Sequence, residues 1–487
     1  MSELINKLLE NSKSNKYPFH MPGHKRNVNY INIFKQLEKP YNIDITEIDG
    51  FDDMHHPENI LKDLMGRISA LYHCKRSFML VNGSTGGILS AITAVTNIGD
   101  EILISRNCHK SIYNSIILRN LKPTYVYPQQ NLEMGICGHI LPESVEEKLK
   151  ENRNIKAVVI VSPTYEGIVS DIKSIAYICH SYNIPLIVDE AHGAHFMHGT
   201  IFPKSAVECN ADIVVQSLHK TLPALTQTGL LHVQGNIVNV EKLEEVLALY
   251  QTSSPSYVFM ASIEICLDFL QSEKGKAYIK NYEKELLLIR ERIGTLRNIR
   301  LLEKNDQMFE YDNSKIVFGI ENQSGKGNEI SNYLREKHFL EMEMSTYNYV
   351  VAMTSIMDSE EGFYRLYSAL VDINETIKIN EVIGTNKKYK TMEESNMKPL
   401  KQVYTPYEAK IMNHRKVFIE NSEGLISGEM AYIYPPGIPL IVYGEKITKE
   451  VINLLMKHKD AGFHIRGLED KSMNYINTLD ISKDRKL

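Results

Sequence analysis

From about residue 66 the chain alternates short apolar runs with stretches of helical period. The runs are residues 77–81 (SFMLV), 101–105 (EILIS), 157–161 (AVVIV), 185–189 (PLIVD), 212–216 (DIVVQ) and 229–233 (GLLHV). Rich in Val, Ile and Leu and without polar alternation, they predict strands buried on both faces. Residues 86–96, 109–119, 142–151 and 171–182 carry the helical pattern between them. Strand and helix in alternation predict an α/β fold, a mostly parallel sheet with helices on both faces.

The pattern changes on either side of this block. Residues 1–65 read as an N-terminal arm, with a polar helical opening and then the Pro-Gly break of Phe19-His20-Met21-Pro22-Gly23-His24-Lys25-Arg26. Composition alone favours a solvated basic turn there over an arm that reaches a site. The large domain extends over 66–290 and closes on a turn-rich segment, 251–257, followed by one long helix from 261 toward 297. A smaller α/β domain is expected over 291–380, with strand-like 315–320 and 350–354 and a helix near 362–377. The polar stretch 385–398 reads as a linker inside the last unit, 381–487, where 429–444 sets two strand-like runs around a Pro-Pro-Gly turn.

Five loops hold the unusual residues, and each follows the carboxyl end of a predicted strand, where open α/β sheets bind ligands. Asn82-Gly83-Ser84-Thr85-Gly86-Gly87 lacks both nucleotide fingerprints but puts two hydroxyls and open N–H groups at a helix start. Ser84, Thr85 and Gly86 there suit a phosphate monoester; a simple Ser/Thr helix cap is the plainer alternative. Asp189 ends an apolar run, where a carboxylate is costly unless something cationic or hydrogen-bonding meets it. Lys220 follows another such run, and in a low-dielectric pocket its amine loses proton affinity and becomes nucleophilic. His109 is a flat group at the start of the helix after the second run. Phosphate cradle, carboxylate, amine and flat group together are the needs of pyridoxal phosphate, PLP.

Composition narrows the class further. Apolar residues make up 43% and charged residues 24%, the balance of a globular enzyme. Lys and Arg total 55 against 60 for Asp and Glu, a net charge of −5, so no excess of cations exists to bind nucleic acid. No run approaches the roughly 18 apolar residues of a membrane helix, and the opening has no apolar signal core. A cytoplasmic protein is expected. The six cysteines are scattered without a CxxC pair, which predicts reduced thiols and no metal site. Nor do the acidic residues 44–53 and His55-His56 make one, because carboxylates and histidines share no helical face.

PGHK, GST, RNxHKS, SPTYxG, DEAHG, SxHK and YPPGIP resemble the ornithine/lysine/arginine decarboxylase family of fold type I, the aminotransferase-like PLP enzymes. The match extends from about residue 17 onward and is nearest to the compact Gram-positive-type arginine and lysine decarboxylases. The resemblance implies a PLP-binding large domain, a smaller α/β domain and a C-terminal α+β decarboxylase domain. It implies that Lys220 forms the Schiff base, Asp189 partners the pyridine nitrogen, His109 stacks on the ring and His192 lies near the phenolic oxygen. Ser84, Thr85, Ser217 and His219 contact the phosphate, with Gly86 in the same turn, and Thr164 lines the site. The family is dimeric with its site at the subunit interface, which implies that PGHK and the Ser253/Ser254 segment serve the neighbouring subunit, with His24 of PGHK a candidate at the substrate. The resemblance is expected to stop short of the N-terminal wing domain of the large acid-inducible members. The chain also has His192 where they have tryptophan.

The implied reaction is α-decarboxylation of a basic L-amino acid, first arginine, then lysine, then ornithine. Asp52, Asp53, Glu429 and Glu445 are candidates for the carboxylate that reads the substrate's distal cation, and solvated surface acids are an equal alternative. A PLP aminotransferase or aldolase would use the same sheet edge, and a non-catalytic PLP-binding protein is a further class.

Overall fold

The computed structural model describes residues 3–27, 30, 40–129, 134–323, 325–382, 399–433, 438–460, 462 and 465–482. The expected linker 385–398 and the Tyr-Pro-Pro-Gly of 434–437 lie outside the described residues.

Seven strands form the central sheet: β1 (Arg76–Leu80), β2 (Glu101–Ser105), β3 (Lys122–Val126), β4 (Ile155–Val161), β5 (Leu186–Asp189), β6 (Ile213–Gln216) and β7 (Gly229–Val233). Their order is β1-β7-β6-β5-β4-β2-β3. The pairs from β3 through β2, β4 and β5 to β6 are parallel, while β7 is antiparallel to both β6 and β1. It follows that β1 points the same way as β6. The carboxyl ends of β1, β2, β4, β5 and β6, with all five unusual loops, therefore share one edge.

The doubly apolar runs have the burial they predict. Along β5 and β6 every residue is buried, and successive side chains enter opposite cores, as the two-residue period of a strand requires. Ile187, Ile213 and Val215 belong to one apolar cluster, Val188 and Val214 to the other. Each such side chain contributes about 1.5–3 kcal/mol on burial, which fixes the register and with it the place of every strand-end residue.

Helix α1 (Gly83–Val95) starts directly off β1, and α2 (Lys110–Leu118) off β2. Gly87 lets α1 sit close to the sheet: a Cβ there would stand 2.5 Å from Leu80 Cδ1 and 2.9 Å from Val215 Cγ1. That contact anchors the turn bearing Ser84 and Thr85 over β1 and β6.

Beyond the sheet the expected single long helix is two, Tyr257–Gln271 and Glu273–Gly294. Ser272 between them is extended, and its hydroxyl caps the second helix by accepting the Gly275 N–H at 3.0 Å. A second, four-stranded antiparallel sheet runs Ile299–Leu301, Lys315–Ile320, Tyr349–Met353, Met344–Ser345, with the helix Glu360–Val382 following it. In the last unit His414–Phe418 pairs with Tyr475–Leu479, and Ala431–Ile433 lies between Pro439–Ile441 and Ile465–Arg466. These enclose a core of their own with Ile441, Val451, Leu455 and Ile476. Each boundary drawn from the sequence falls inside a helix, within Ile60–Leu71, Glu273–Gly294 and Glu360–Val382. All six cysteines are free. Among the described residues no helix is long and apolar enough to cross a membrane, and no group of three or more His, Cys, Asp or Glu could hold a metal ion.

Candidate active site

The strand β6 ends at Gln216, and one helical turn, Leu218–Thr221, carries Lys220 over the sheet edge. Lys220 Nζ lies 3.0 Å from His192 Nε2. Lys220 is half-buried, yet the protein packed round its amine disfavours the ammonium and lowers its pKa; Asp189 and then Glu343 push it back up, and Lys315 lowers it again. His192 is held well below the ordinary histidine range by burial, with Lys220 and Lys315 adding repulsion. A neutral imidazole beside a poorly solvated amine is an arrangement that keeps the amine available as a nucleophile.

Asp189 closes β5 with 5% exposure, and its Oδ1 accepts the N–H of Ala191 at 3.2 Å. Burial raises its pKa, and Lys220 opposes that rise. His109 caps α2: its Nδ1 meets Ser111 Oγ at 2.9 Å and accepts the Ser111 N–H at 3.3 Å, which fixes the plane of the ring. Burial, then Lys220, then Lys110 lower its pKa to about 3. His219 donates from Nδ1 to the carbonyl of Thr228 at 2.8 Å, and burial holds its pKa at about 4. Thr164 is buried, its hydroxyl accepting the Ile168 N–H at 3.2 Å.

At the start of α1 the capping position is Asn82, and its side chain makes no capping bond. Ser84, Thr85 and Gly86 fall within the first turn, where N–H groups have no partner in their own helix. Gly83 takes φ +69°, a conformation glycine adopts without strain. Nearby, Ser217 Oγ, Thr221 Oγ1 and His192 Nδ1 are buried without a hydrogen-bond partner among the described residues. Buried polar atoms are rarely left so. This donor set fits a phosphate monoester and a ring oxygen, so the residues present are compatible with PLP.

The carboxylates expected to read a distal cation are engaged elsewhere. Glu445 is fully buried and ion-paired with Arg106 at 3.0 Å. Glu429 accepts the N–H groups of Glu469 at 2.7 Å and Asn477 at 2.8 Å inside the last unit. Asp53 binds His56 Nδ1 at 2.9 Å and the His55 N–H at 2.8 Å, and Asp52 accepts the N–H groups of Asn59 and Leu61 at the head of Ile60–Leu71. Three of the four, Asp52, Glu429 and Glu445, are thus buried structural acceptors rather than free site groups.

The basic arm is not a solvated turn. Gly23 donates its N–H to the carbonyl of His219 at 2.8 Å, and Ser355 Oγ donates to the Gly23 carbonyl at 2.5 Å, so PGHK packs on the lysine turn of its own chain. Lys25 is buried, its Nζ donating to the carbonyls of His20 at 2.9 Å and Met353 at 2.7 Å. His24 is half-buried and accepts the Arg26 N–H at 3.0 Å, with no bond to Lys220. Ser253 and Ser254 are exposed. Sequence reasoning missed two groups altogether: Glu343, and the buried pair Lys315–Asp312 at 2.7 Å, which also meets His195 at 3.1 Å. Neither lies in the five loops at the edge of the central sheet.

Family models for the Orn/Lys/Arg decarboxylase major domain and C-terminal domain match residues 2–352 and 384–472. An arginine decarboxylase of Bacillus anthracis is 30% identical over 98% of this chain and 97% of its own length. One from Bacillus subtilis is 30% identical over 95% of this chain and 94% of its own. The crystal structure of a Francisella novicida lysine decarboxylase superposes with TM-score 0.77 at 22% identity, covering 98% of this chain and 81% of that one. By fold, sheet-edge geometry and near full-length likeness, the chain belongs to the Orn/Lys/Arg decarboxylase family.

Proposed function

We propose that the protein binds PLP through Lys220 and decarboxylates arginine to agmatine and CO2. One observation carries the reading: a poorly solvated lysine amine 3.0 Å from a neutral histidine, at a sheet edge it shares with the buried Asp189 and the unpartnered Ser217 Oγ. Arginine is preferred because the Bacillus relatives, alike over nearly their whole length, bear that activity in their names, while lysine decarboxylases such as that of Hafnia alvei are 24% identical. Lysine and ornithine follow in that order.

Bound PLP supplies an electron sink for the charge left when CO2 departs. The chain's own residues do the rest. Ser84, Thr85, Gly86 and Ser217 would hold the phosphate, whose charge would draw a proton onto Nε2 of His219, the ring that Thr228 fixes through Nδ1. Asp189, with one oxygen engaged by Ala191, would offer the other to the pyridine nitrogen, and its negative charge, weakly screened at a buried position, would favour a proton there. His109 would stack on the ring, His192 would serve the phenolic oxygen, and Thr164 would line the pocket. Lys220 would carry the cofactor and, with its poorly solvated amine, would be the group placed to hold a proton for Cα. The enzyme works in the cytoplasm as a homodimer or dimer-based oligomer with the site at the subunit interface, where the exposed Ser253/Ser254 segment faces the partner.

Lys220→Ala is expected to abolish both the absorbance of lysine-bound cofactor and CO2 release; a variant retaining both rules the assignment out. Release of CO2 from arginine, lysine and ornithine, compared at equal concentration, ranks the substrates. Stoichiometric keto acid or aldehyde in place of CO2 would point to an aminotransferase or aldolase instead.

A further inference from the structure

Glu343 enters the site just ahead of Met344–Ser345, and both of its oxygens are engaged. Oε2 accepts the N–H of Met21 at 2.8 Å, and Oε1 accepts the hydroxyl of Tyr165. The Tyr165 ring packs on the His192 ring, centroids 4.5 Å apart at 55°. His192 in turn meets Lys220 at 3.0 Å. A single carboxylate therefore ties the N-terminal arm, the loop after β4 and the second sheet together beside the amine.

We propose that Glu343 is a positioning residue of the decarboxylation site, holding Tyr165 and hence the His192 ring against Lys220 while placing a second negative charge near the amine. The inference rests on reading Lys220 as the cofactor-bearing lysine. A phenol bonded to a carboxylate must donate its proton to it, so the Tyr165 ring is held at its far end and His192 has a fixed wall to pack on.

The charges around the amine give Glu343 its second part. Lys220 is faced by Asp189 and Glu343, which favour its cationic form, by Lys315, which opposes it, and by the histidines 192 and 109. Lys315 is bound to Asp312. With Asp189 given over to the pyridine nitrogen on the proposed reading, Glu343 is the other carboxylate among the described residues that favours a proton on the lysine nitrogen. Lys25 and His20 also feel Glu343, and both are held by backbone carbonyls of their own.

The test is a pH titration of the absorbance of the lysine-bound cofactor in wild type, Glu343→Gln, Glu343→Asp and Tyr165→Phe. Gln keeps the shape, accepting from Met21 and donating to the phenol oxygen, but carries no charge. Its midpoint is expected about 1 pH unit below wild type, the size of effect a nearby opposite charge exerts. Asp is expected to restore most of that shift. Tyr165→Phe should leave the midpoint in place and lower kcat with little change in KM. A Gln midpoint equal to wild type, with kcat unchanged in both Gln and Phe, overturns the proposal. Should Gln bind no cofactor, the Asp variant decides: a wild-type midpoint there supports the charge, and a midpoint displaced as far as the Gln effect expected above overturns it. A wild-type protein with no such band would instead sink the reading of Lys220 itself.

Discussion

Arg106 and Glu445 form a two-point ion pair, Nε to Oε1 at 3.2 Å and Nη2 to Oε2 at 3.0 Å, between the loop after β2 and the C-terminal unit. Arg106 Nη1 adds bonds to the Pro439 carbonyl at 2.9 Å and the Tyr113 hydroxyl at 3.1 Å. The same loop leads directly into His109. A residue far along the chain thereby fixes the loop that carries the proposed ring-stacking group.

Glu445→Ala leaves a buried guanidinium with no counter-charge, and breaking such a pair from one side costs about 3–5 kcal/mol. Replacing both partners by Met removes both desolvation costs. The double variant is expected to unfold in urea closer to wild type than Glu445→Ala does. Equal destabilisation of both would mean the pair's charge is irrelevant to the fold.

Gly23→Ala tests the arm. A Cβ at residue 23 would stand 2.6 Å from the Leu222 carbonyl oxygen and 2.8 Å from the Leu222 nitrogen, both backbone atoms that cannot swing away. The turn bearing Lys220 must shift to admit it. Because misplacing a reacting group by about 1 Å costs on the order of 100-fold, kcat should fall by about that factor. Far-UV circular dichroism should not change. Wild-type kcat in a folded variant would show that the arm does not set the lysine.

Ser217→Ala makes opposite predictions for two states. The hydroxyl oxygen is buried and unpartnered among the described residues, so its removal should leave the cofactor-free protein as stable or slightly more so. If it binds phosphate, a hydrogen bond to a charged group worth about 1.5–3 kcal/mol is lost, and PLP affinity falls at least roughly tenfold. Affinity equal to wild type by titration calorimetry would remove Ser217 from the phosphate site.

Much of the sheet was legible because doubly buried strands write themselves as apolar runs: each of the six expected runs overlaps a strand of the central sheet. The seventh strand, Lys122–Val126, went unread. It is a half-exposed edge strand holding Pro123, and only its last residue is buried, so it has neither the apolar run nor the expected composition. The antiparallel direction of β7 was equally invisible, since burial on both faces looks the same in either direction. At the site, the strand-end residues announced themselves by falling just after apolar runs. Glu343 did not, because its meaning depends on Met21 and Tyr165, which are distant in sequence and meet it only once the chain has folded. The partners of Glu429 and Glu445 were hidden for a related reason: a carboxylate near a family motif gives no sign that Arg106 or a pair of N–H groups holds it.

His232 is one of several buried histidines that contribute acid dependence, and it lies apart from the proposed cofactor site. It is 1% exposed on β7, accepts from Ser77 Oγ at 2.9 Å, and reaches Gln216 Oε1 at 3.4 Å with its other nitrogen; burial alone lowers its pKa to about 3. An unfolded histidine titrates near 6.5, so between roughly pH 6.5 and 3 the unfolded chain binds the extra proton. The stability this neutral ring contributes is present above about pH 6.5 and is lost as pH falls toward 3, at about 1.4 kcal/mol per pH unit. Glu190 acts with the opposite sign, because burial raises its pKa to about 7 and the stability of its protonated form is lost as pH rises from the ordinary carboxylate range through 7. A bare pH profile mixes these two with the other buried histidines, and a paired comparison isolates His232. His232→Gln keeps a donor for Gln216 and an acceptor for Ser77 without titrating. Its Tm should therefore fall less steeply than wild type between pH 6.5 and 4.5, with the curves parallel above 7. Parallel curves over the whole range would mean that His232 is protonated, or solvated, in the folded protein.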